Sequence, residues 1–323
     1  MNRHAFVICT DENYSPHAGT CLFSLLLSTT RRDFDIHLIS ASLSDNEREN
    51  FQILASIFHA NIIVTNGRNA LEDLRSANKD HALHRSAHIS DSTLLRLCYA
   101  EVIEQNYDAI AYIDCDLIIQ KDATCLFQED LGGNIIGAVP DLIANRAKNR
   151  TDGIPAYFNA GILLINDHAW RSQNIQQQLR RILEEADPKT LPYADQDILN
   201  QYFRQHGYQQ LASKYNYQYM ASLGEIYAPK DINLSEAVIV HFAGQIKPWH
   251  QWSPAEHSAI YERYRCLSPW RAGYQPQQPK TRQQLLIGYQ SLLNQGRHKE
   301  ACLYGQKLIN LMQSESSARQ TRA

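Results

Sequence analysis

The stretch Ala109-Ile-Ala-Tyr-Ile-Asp114-Cys-Asp116 decides how the fold is interpreted. Five apolar residues, typical of a buried strand, run directly into two carboxylates. Side chains alternate along an extended chain, so Asp114 and Asp116 project to the same side. Two negative charges so close together repel unless a cation lies between them, and hard oxygen ligands suit Mg²⁺ or Mn²⁺. The stretch therefore predicts a strand-end metal site of the kind that holds a diphosphate.

Context separates this pair from two similar tripeptides. Asp-x-Asp also occurs at Asp33–Asp35 and at Asp195–Asp197. Acidic pairs are common in solvated turns and in the first turn of a helix, where the helix macrodipole favours them. Only the pair at Asp114 and Asp116 follows a strand-like apolar run, and this context favours a metal site there.

Composition places the chain among ordinary soluble globular proteins. It has 323 residues, 44% hydrophobic and 20% charged, which suits one large domain or two modest ones. The net charge of −3 gives no support to a nucleic-acid partner. Residues 280–323 contain seven Lys and Arg against two Glu, a local charge of +5 that leaves −8 for the rest. A basic tail on an acidic body indicates an anionic surface as partner.

The cysteines and the N-terminus argue against several classes of protein. Seven scattered cysteines contain no Cys-x-x-Cys pair, so neither a disulfide framework nor a zinc site is predicted. The apolar stretch near Met1 is too short for a signal peptide, and no run approaches the ~20 apolar residues of a membrane span. We therefore expect a cytoplasmic protein.

Short apolar runs alternate with helical patterns through the first 140 residues. This alternation predicts an α/β fold with a mostly parallel sheet covered by helices on both faces. Ligands of such sheets bind beyond the carboxyl ends of the strands, where Thr10-Asp-Glu-Asn-Tyr14 and Asp114-Cys-Asp116 both fall. Gly-x-Gly-x-x-Gly and Gly-x-x-x-x-Gly-Lys-Ser/Thr are missing, which disfavours dehydrogenases and P-loop enzymes. The predicted strands are Ala5–Thr10, Ile36–Ser40, Ile62–Thr65 and Ala109–Ile113, and the predicted helices are Gly19–Ser28, Ser44–Phe58 and Asp91–Gln105.

The later part of the chain continues this pattern and then changes character. A segment rich in Pro, Gln and Gly is predicted as a linker, followed by two amphipathic helices, Thr281–Gln295 and Lys299–Gln313. We expect one domain over residues 1–268, the linker over 269–280 and a helical hairpin over 281–323. The hairpin either packs on the body or contacts a membrane surface. The predicted strands here are Ile135–Val139, Gly161–Asn166 and Ala237–Phe242, and the predicted helices are Gln173–Ala186 and Gln196–Gln205.

A second group of chemically useful residues lies in Val238-Ile-Val-His-Phe-Ala-Gly-Gln-Ile-Lys-Pro-Trp249. His241 ends a predicted strand, Gly244 lets the backbone approach a ligand, and Lys247 lies in a turn stiffened by proline. A lone strand-end histidine is commonly structural, and a lone lysine is commonly an ordinary surface residue. Beside two strand-end aspartates, His241 becomes a candidate third metal ligand. Lys247 becomes a candidate cation for a departing diphosphate.

Two further polar segments could contact a sugar. Asn159 precedes a strongly apolar strand and offers a donor and an acceptor to a hydroxyl. Asp195, Gln196 and Asp197 open a predicted helix, where capping alone accounts for one of the two aspartates. The structural alternatives are a turn before a core strand and an ordinary helix start.

Together these segments resemble the retaining nucleotide-sugar transferases of glycosyltransferase family 8, which have a GT-A fold. The resemblance runs from about residue 5 to Trp270. It is strongest to the bacterial branch that builds lipopolysaccharide cores, in Lys247-Pro-Trp-His-Gln-Trp252 and Ser268-Pro-Trp270. Two departures stand out: Leu94-Leu95 where the family often has an aromatic residue, and Phe242 where tyrosine is common. The first departure could alter how Arg96 is held.

The resemblance implies a role for each matching position. Gln196, Asp195 and Lys247 are implied to lie nearest the chemistry. The implied sites are a metal site of Asp114, Asp116 and His241, uridine contacts from Asp11 and Asn13, a sugar or diphosphate contact from Arg96, a donor-sugar pocket of Asp141, Asn159, Asp195 and Gln196, and diphosphate contacts from Gly244 and Lys247.

The resemblance also implies an activity. A hexose, glucose or galactose, would move from UDP to a hydroxyl of an oligosaccharide with retention of configuration, and Mn²⁺ or Mg²⁺ would be required. The acceptor would be a lipopolysaccharide core, and the enzyme would work in the cytoplasm or at the inner face of the cytoplasmic membrane. Retention is expected from attack on the face that UDP leaves, because a glutamine is a poor nucleophile. The alternatives are a non-catalytic nucleotide-sugar-binding protein and a UDP-sugar hydrolase.

Overall fold

A central seven-stranded sheet organises the chain, for which a computed structural model describes residues 3–77, 91–145, 156–186, 191, 193–222, 225–272 and 274–320. The strands of the described residues are β1 (His4–Thr10), β2 (Phe34–Ser40), β3 (Ile62–Asn66), β4 (Ala109–Ile113), β5 (Leu117–Ile119), β6 (Ile136–Pro140), β7 (Phe158–Ile165), β8 (Gln209–Gln210), β9 (Tyr217–Gln218), β10 (Met220–Ser222), β11 (Glu225–Tyr227) and β12 (Ile239–His241). The central order is β3-β2-β1-β4-β7-β6-β8, and β5-β12-β9 and β10-β11 form two smaller sheets.

Strand direction gives the central sheet its mixed character. β3, β2, β1 and β4 are parallel, β7 is antiparallel to both β4 and β6, and β8 is parallel to β6. The predicted α/β fold with a mostly parallel sheet is therefore confirmed. The helices of the described residues are α1 (Ser15–Ser28), α2 (Asp45–Phe58), α3 (Arg68–Ala77), α4 (Tyr99–Val102), α5 (Asp167–Ser172), α6 (Ile175–Glu185), α7 (Asp195–His206), α8 (Ala255–Arg265), α9 (Arg282–Asn294) and α10 (His298–Gln320).

Both faces of the sheet are buried, as its continuous apolar runs require. In β1, Phe6 and Ile8 belong to one core cluster with residues of α1 and α2, whereas Ala5 and Val7 belong to the opposite cluster with residues of α6 and α7. Alternate side chains of one strand thus supply two cores. The sheet is fixed from both sides, and its strand ends are correspondingly rigid.

Two of the predicted helices differ from those in the structure, one in where it begins and the other in its type. α1 begins at Ser15, before a proline, and not at Gly19. Gly19 lies inside α1, against the ring of Trp270. A Cβ at this position would lie 2.2 Å from a ring carbon of Trp270, so there is no room for a side chain. Residues 91–98 form a 3₁₀ helix where the sequence predicts a long α-helix, and only α4 continues it.

The C-terminal hairpin of α9 and α10 packs on the body. Its inner face covers the side chain of Trp252, which Tyr304 contacts edge-on. Ser291 donates a hydrogen bond to the Trp252 carbonyl, and the Tyr304 hydroxyl donates to Gln251. In the predicted linker, Trp270 is buried and donates to Glu47 at 2.6 Å. Among the described residues, every helix is too short or too polar to cross a lipid bilayer.

Candidate active site

Four element ends bring the predicted site residues to one edge of the central sheet. Asp114 follows β4, Asp141 follows β6, Asn159 lies near the start of β7 and Asp195 begins α7. Because β7 is antiparallel to β4 and β6, its first residues lie at the carboxyl edge of both neighbours. The Asp114 N–H donates to the carbonyl of Gly161, which ties the end of β4 to β7. Residues far apart in sequence therefore surround one site.

Asp114, Asp116 and His241 form a compact ligand cluster, with one ligand atom of each within 4.8 Å of the others. The backbone that carries the two aspartates differs from the predicted one. β4 ends before Asp114 and β5 begins after Asp116, so the aspartates lie in a bend between two sheets and not along one strand. β5 pairs with β12 with Leu117 opposite His241, and this pairing places the imidazole beside the carboxylates.

A lysine neutralises the second aspartate. Lys247 Nζ lies 2.5 Å from Asp116 Oδ2 and also donates to the Phe242 carbonyl at 2.9 Å. Burial alone would raise the pKa of Asp116, but the charge of Lys247 and the contact with His241 outweigh it and hold this pKa well below its usual range. Asp116 is therefore ionised at neutral pH and available to a cation.

Arg96 connects the first aspartate to the helix at the back of the site. Its Nη2 donates to Asp114 Oδ1 at 2.8 Å, and its Nε lies 2.6 Å from Asp195 Oδ2. The side chains of Arg96 and Asp195 are each only 5% exposed. Burial raises the pKa of Asp195 to about 6, although the charge of Arg96 opposes this shift. Asp195 thus holds Arg96 against the ligand cluster.

Three of the predicted sugar contacts form a polar cluster joined by hydrogen bonds. Asn159 Nδ2 donates to Asp141 Oδ2 at 3.1 Å, and Gln196 Nε2 lies 3.5 Å from the same oxygen. The Ala160 N–H donates to Gln196 Oε1 at 2.9 Å, which fixes the direction of that amide. This polar cluster therefore brings together carboxylate and amide groups of fixed orientation.

Asp197 is occupied by hydrogen bonds within the protein. The Tyr157 hydroxyl and the Tyr193 N–H each donate to a different oxygen of its carboxylate, both at 2.6 Å. These contacts organise the start of α7. Asp197 therefore has a structural role, as capping predicts for one of the two aspartates of this tripeptide.

A cleft of about 460 Å³ opens at the carboxyl ends of the outer strands. Asp11 and Asn13 line one side of it, and Arg68 and Arg75 line the other. Asp11 Oδ1 accepts a hydrogen bond from the Tyr14 N–H, which fixes the turn before α1. A volume of this order accommodates a nucleoside.

The loop after β12 is anchored by a contact with α1. Gly244 has a φ of +87° and is exposed, so a side chain there would strain the backbone. Trp249 stacks on His17 of α1, with ring centroids 3.5 Å apart. Burial lowers the pKa of His17 to about 3, and this ring therefore stays neutral. The stack fixes the loop that carries Lys247.

Sequence analysis missed two buried amides that support the site. Asn216 Oδ1 lies 2.9 Å from His241 Nδ1, and Asn200 bonds both backbone groups of Phe158. Asn200 belongs to an ordinary helical pattern and gives no signal of its own. Asn216 stands between two buried tyrosines, and a polar residue inside an aromatic run is a signal that could have drawn attention to it.

The donor set fits a divalent cation. Two carboxylates and one imidazole are ligands that Mn²⁺ accepts, and carboxylate oxygens also suit Mg²⁺. His241 Nε2 and Asp116 Oδ1 face each other at 3.4 Å. One ion could contact both atoms at this separation, and its positive charge would be attracted to the Asp116 carboxylate.

Gly161→Ala is expected to displace His241 and to weaken Mn²⁺ binding at least about ten-fold. A Cβ at this position would lie 2.3 Å from the imidazole Cε1 and 2.7 Å from Nδ1, and the ring is held by Asn216. Titration of the purified variant with Mn²⁺ in the presence of UDP measures the effect.

Gly137→Ala is the matched control because the atoms nearest to its Cβ belong to the side chains of Leu131 and Leu211 and not to the ligand cluster. It should lower stability without changing Mn²⁺ affinity. Parent-like Mn²⁺ binding by the Gly161 variant would show that His241 is not a ligand.

Comparison with known proteins supports one family. The profile described as Glycosyl transferase family 8 matches residues 5–253. The chain is 27% identical to the lipopolysaccharide 1,2-glucosyltransferase of Escherichia coli over 93% of its own length and 86% of that protein. It is 26% identical to general stress protein A of Bacillus subtilis (strain 168), over 82% of its own length and 93% of that protein.

A solved structure of a glycosyltransferase also resembles the chain. The galactosyltransferase LgtC, in complex with donor and acceptor sugar analogues, superimposes with a TM-score of 0.67 and 26% identity, covering 82% of this chain and 96% of LgtC. The sheet order and this match confirm the predicted GT-A fold. The chain is a glycosyltransferase and belongs to glycosyl transferase family 8.

Proposed function

We propose that this glycosyltransferase moves a hexose from UDP to a hydroxyl of an oligosaccharide, with retention of configuration and with Mn²⁺ or Mg²⁺ held by Asp114, Asp116 and His241. The observation that carries the proposal is the convergence of these three ligands within 4.8 Å, beside the ammonium of Lys247. The cleft at Asp11 and Asn13 would take the uridine, and the polar cluster around Asp141 would bind the hexose.

The charges around the ligand cluster suit a diphosphate that gains negative charge as it leaves. A divalent ion bound there would supply Lewis-acid stabilisation of that charge. The ammonium of Lys247 would move from Asp116 toward the diphosphate, and Gly244, which has no side chain, would let the backbone come close to the diphosphate. Arg96 keeps Asp114 in place from behind.

Retention of configuration fits attack on the face that UDP leaves. A covalent route needs a free carboxylate under the anomeric carbon. Asp195 is buried against Arg96, and both oxygens of Asp197 accept hydrogen bonds. Gln196 is held by Ala160 and would orient the sugar as a neutral group. The departing phosphate would accept the proton of the acceptor hydroxyl. Trapping a glycosyl adduct on Asp195 or Asp197 would contradict this route.

The donor hexose and the acceptor follow from the relatives. A glucosyltransferase and a galactosyltransferase both resemble the chain, so UDP-glucose and UDP-galactose are the two candidate donors. The Escherichia coli relative acts in lipopolysaccharide synthesis, and a lipopolysaccharide core oligosaccharide is our proposed acceptor. We therefore propose that the enzyme works in the cytoplasm, at the inner face of the membrane.

UDP release from a panel of nucleotide sugars, with Mn²⁺ and with a chelator, tests the proposed function. We expect metal-dependent release from one UDP-hexose, accelerated by an oligosaccharide acceptor. Equal release with and without acceptor would identify a UDP-sugar hydrolase. Metal-dependent UDP binding without turnover would identify a nucleotide-sugar-binding protein.

The outer face of the C-terminal hairpin is proposed to contact the anionic inner leaflet. Leu303 and Ile309 are 64% and 51% exposed, and Lys299 and Lys307 lie on the same helix. Leu303→Ser with Ile309→Ser is expected to weaken binding to anionic vesicles at least about ten-fold, since burial of each side chain contributes roughly 1.5–3 kcal/mol. Co-sedimentation measures this.

Leu27→Ser with Ile57→Ser is the control for the hairpin variant, because these side chains are similarly exposed on the body. The control should bind vesicles as the parent does. Equal binding by both double variants would place membrane contact elsewhere. Truncation at residue 281 is a poorer test, because it would uncover the buried ring of Trp252.

A further inference from the structure

An unbroken chain of hydrogen bonds runs from the backbone of β7 to the imidazole of His241. The Gly161 N–H donates to Asn159 Oδ1 at 3.0 Å, and Asn216 Nδ2 donates to the same oxygen at 2.9 Å. Asn216 Oδ1 in turn lies 2.9 Å from His241 Nδ1. All three side chains are buried, and Asn216 is fully enclosed. Buried polar groups of this kind are held in one arrangement by the bonds they make.

The first donor fixes the direction of every later bond. A backbone N–H can only donate, so the Asn159 atom that faces Gly161 is its oxygen. The Asn159 amide nitrogen then points to Asp141, whose carboxylate accepts at 3.1 Å. Asn216 must offer a donor to the Asn159 oxygen, which leaves its own oxygen facing His241. An amide oxygen only accepts, and the neutral imidazole of His241 therefore carries its proton at Nδ1.

We infer that Asn216 is a positioning residue that holds His241 as the Nδ1–H tautomer, so that the lone pair of Nε2 points at the ion bound by Asp114 and Asp116. The inference rests on the proposed metal site and adds to it a residue that no motif marks. Histidines that bind metals usually donate their other N–H to a partner that fixes the ring. Here the partner is an amide, whose own direction is set by the sheet backbone.

The geometry leaves the ring little freedom to adopt another position. The imidazole fills the space above Gly161, since a Cβ added to that glycine would lie 2.3 Å from Cε1 of the ring. On its other edge, Nε2 lies 3.4 Å from Asp116 Oδ1. We expect Asn159 to retain its bonds to Gly161 and Asp141 when Asn216 is replaced. The ligand cluster can then be perturbed without changing the polar cluster around Asp141.

Nitrogen-15 NMR of the histidine rings in the metal-free protein tests the tautomer directly. The spectrum is recorded with a chelator, at a pH high enough that the His241 ring gives no imidazolium signal. His241→Gln identifies the signal by its loss. We expect a protonated Nδ1 and an unprotonated Nε2. A protonated Nε2 with an unprotonated Nδ1 would overturn the inference.

Two substitutions of Asn216 then distinguish its role as hydrogen-bond acceptor for His241 from its contribution to packing. Asn216→Leu keeps the volume and removes the acceptor, and we expect Mn²⁺ affinity to fall about ten- to a hundred-fold. Asn216→Asp keeps an acceptor toward His241 Nδ1 but loses the donor toward Asn159 Oδ1, so this variant is used only for the tautomer, which we expect to be unchanged. Asn166→Leu is the control, since this amide follows the opposite end of β7 and caps α5 through the Ala169 N–H. It should leave Mn²⁺ affinity unchanged.

The outcomes separate this inference from the proposed function. Parent-like Mn²⁺ affinity in folded Asn216→Leu would overturn the positioning role. If that variant does not fold, the tautomer of His241 in Asn216→Asp decides the matter, because a ring without a proton at Nδ1 would overturn the inference. A parent protein that binds no Mn²⁺ would overturn the metal site itself, whatever the tautomer.

Discussion

Asp116→Asn is expected to lower hexose transfer at least about 10³-fold while the chain stays folded. The change removes one of the two negative charges that attract the divalent ion and leaves the Lys247 ammonium, 2.5 Å away, without a counter-charge. Loss of about 4 kcal/mol of transition-state stabilisation corresponds to this factor. Initial rates of transfer, measured over a range of Mn²⁺ concentrations, give the effect.

The fold should survive this substitution because asparagine has nearly the volume of aspartate. Lys247 keeps its hydrogen bond to the Phe242 carbonyl and is partly accessible to solvent. Asp33→Asn is the matched control: it alters another Asp-x-Asp tripeptide whose aspartate is exposed and paired with Arg31. Its rate should equal that of the parent. A rate near the parent value in the Asp116 variant would mean that the metal site is wrongly placed.

Arg96→Ala is expected to cost about 3–5 kcal/mol of unfolding free energy, measured by denaturant titration in the presence of a chelator. Arg96 pairs with Asp114 and Asp195, and removal of one partner from a buried ion pair leaves an uncompensated charge. The guanidinium also packs over the Tyr112 ring, 4.6 Å from its centroid, so some packing is lost as well.

The loss caused by Arg96→Ala should depend on pH. Burial already raises the pKa of Asp195 to about 6, and the charge of Arg96 limits this shift. Without Arg96 the pKa of Asp195 rises further. When the pKa of a carboxyl is higher in the folded than in the unfolded state, the protein loses stability as the pH rises through the folded-state pKa. The difference in stability between parent and variant should therefore grow as pH rises above about 6.

Arg96→Ala combined with Asp195→Asn separates lost charge balance from lost packing. If an unpaired Asp195 carboxylate causes most of the loss, the double variant will be more stable than Arg96→Ala alone. A double variant no more stable than the single one would assign the cost to the cavity and to the contact with Tyr112. Arg96 would then act through packing and not through its charge.

The sequence by itself identified the main strands, the candidate ligand residues and the family. Apolar runs that end in polar residues are local signals, so β1, β4 and the aspartates after β4 could be recognised from neighbouring residues alone. His241 could be proposed because it ends another such run. The N-terminal start of α2 at Ser44 was also correct, since an N-cap depends only on the first turn.

Tertiary structure decided how these residues meet. β12 pairs with β5 in a separate small sheet, and that pairing, between segments more than a hundred residues apart, brings His241 to Asp116. Tertiary structure likewise brings Arg96 to Asp195 and Asn216 to His241, contacts that no local pattern predicts. The hairpin packs on Trp252 for the same kind of reason. Periodicity and capping are set by residues a few positions apart, whereas partner choice depends on which distant surfaces fit together, and no local pattern carries that information.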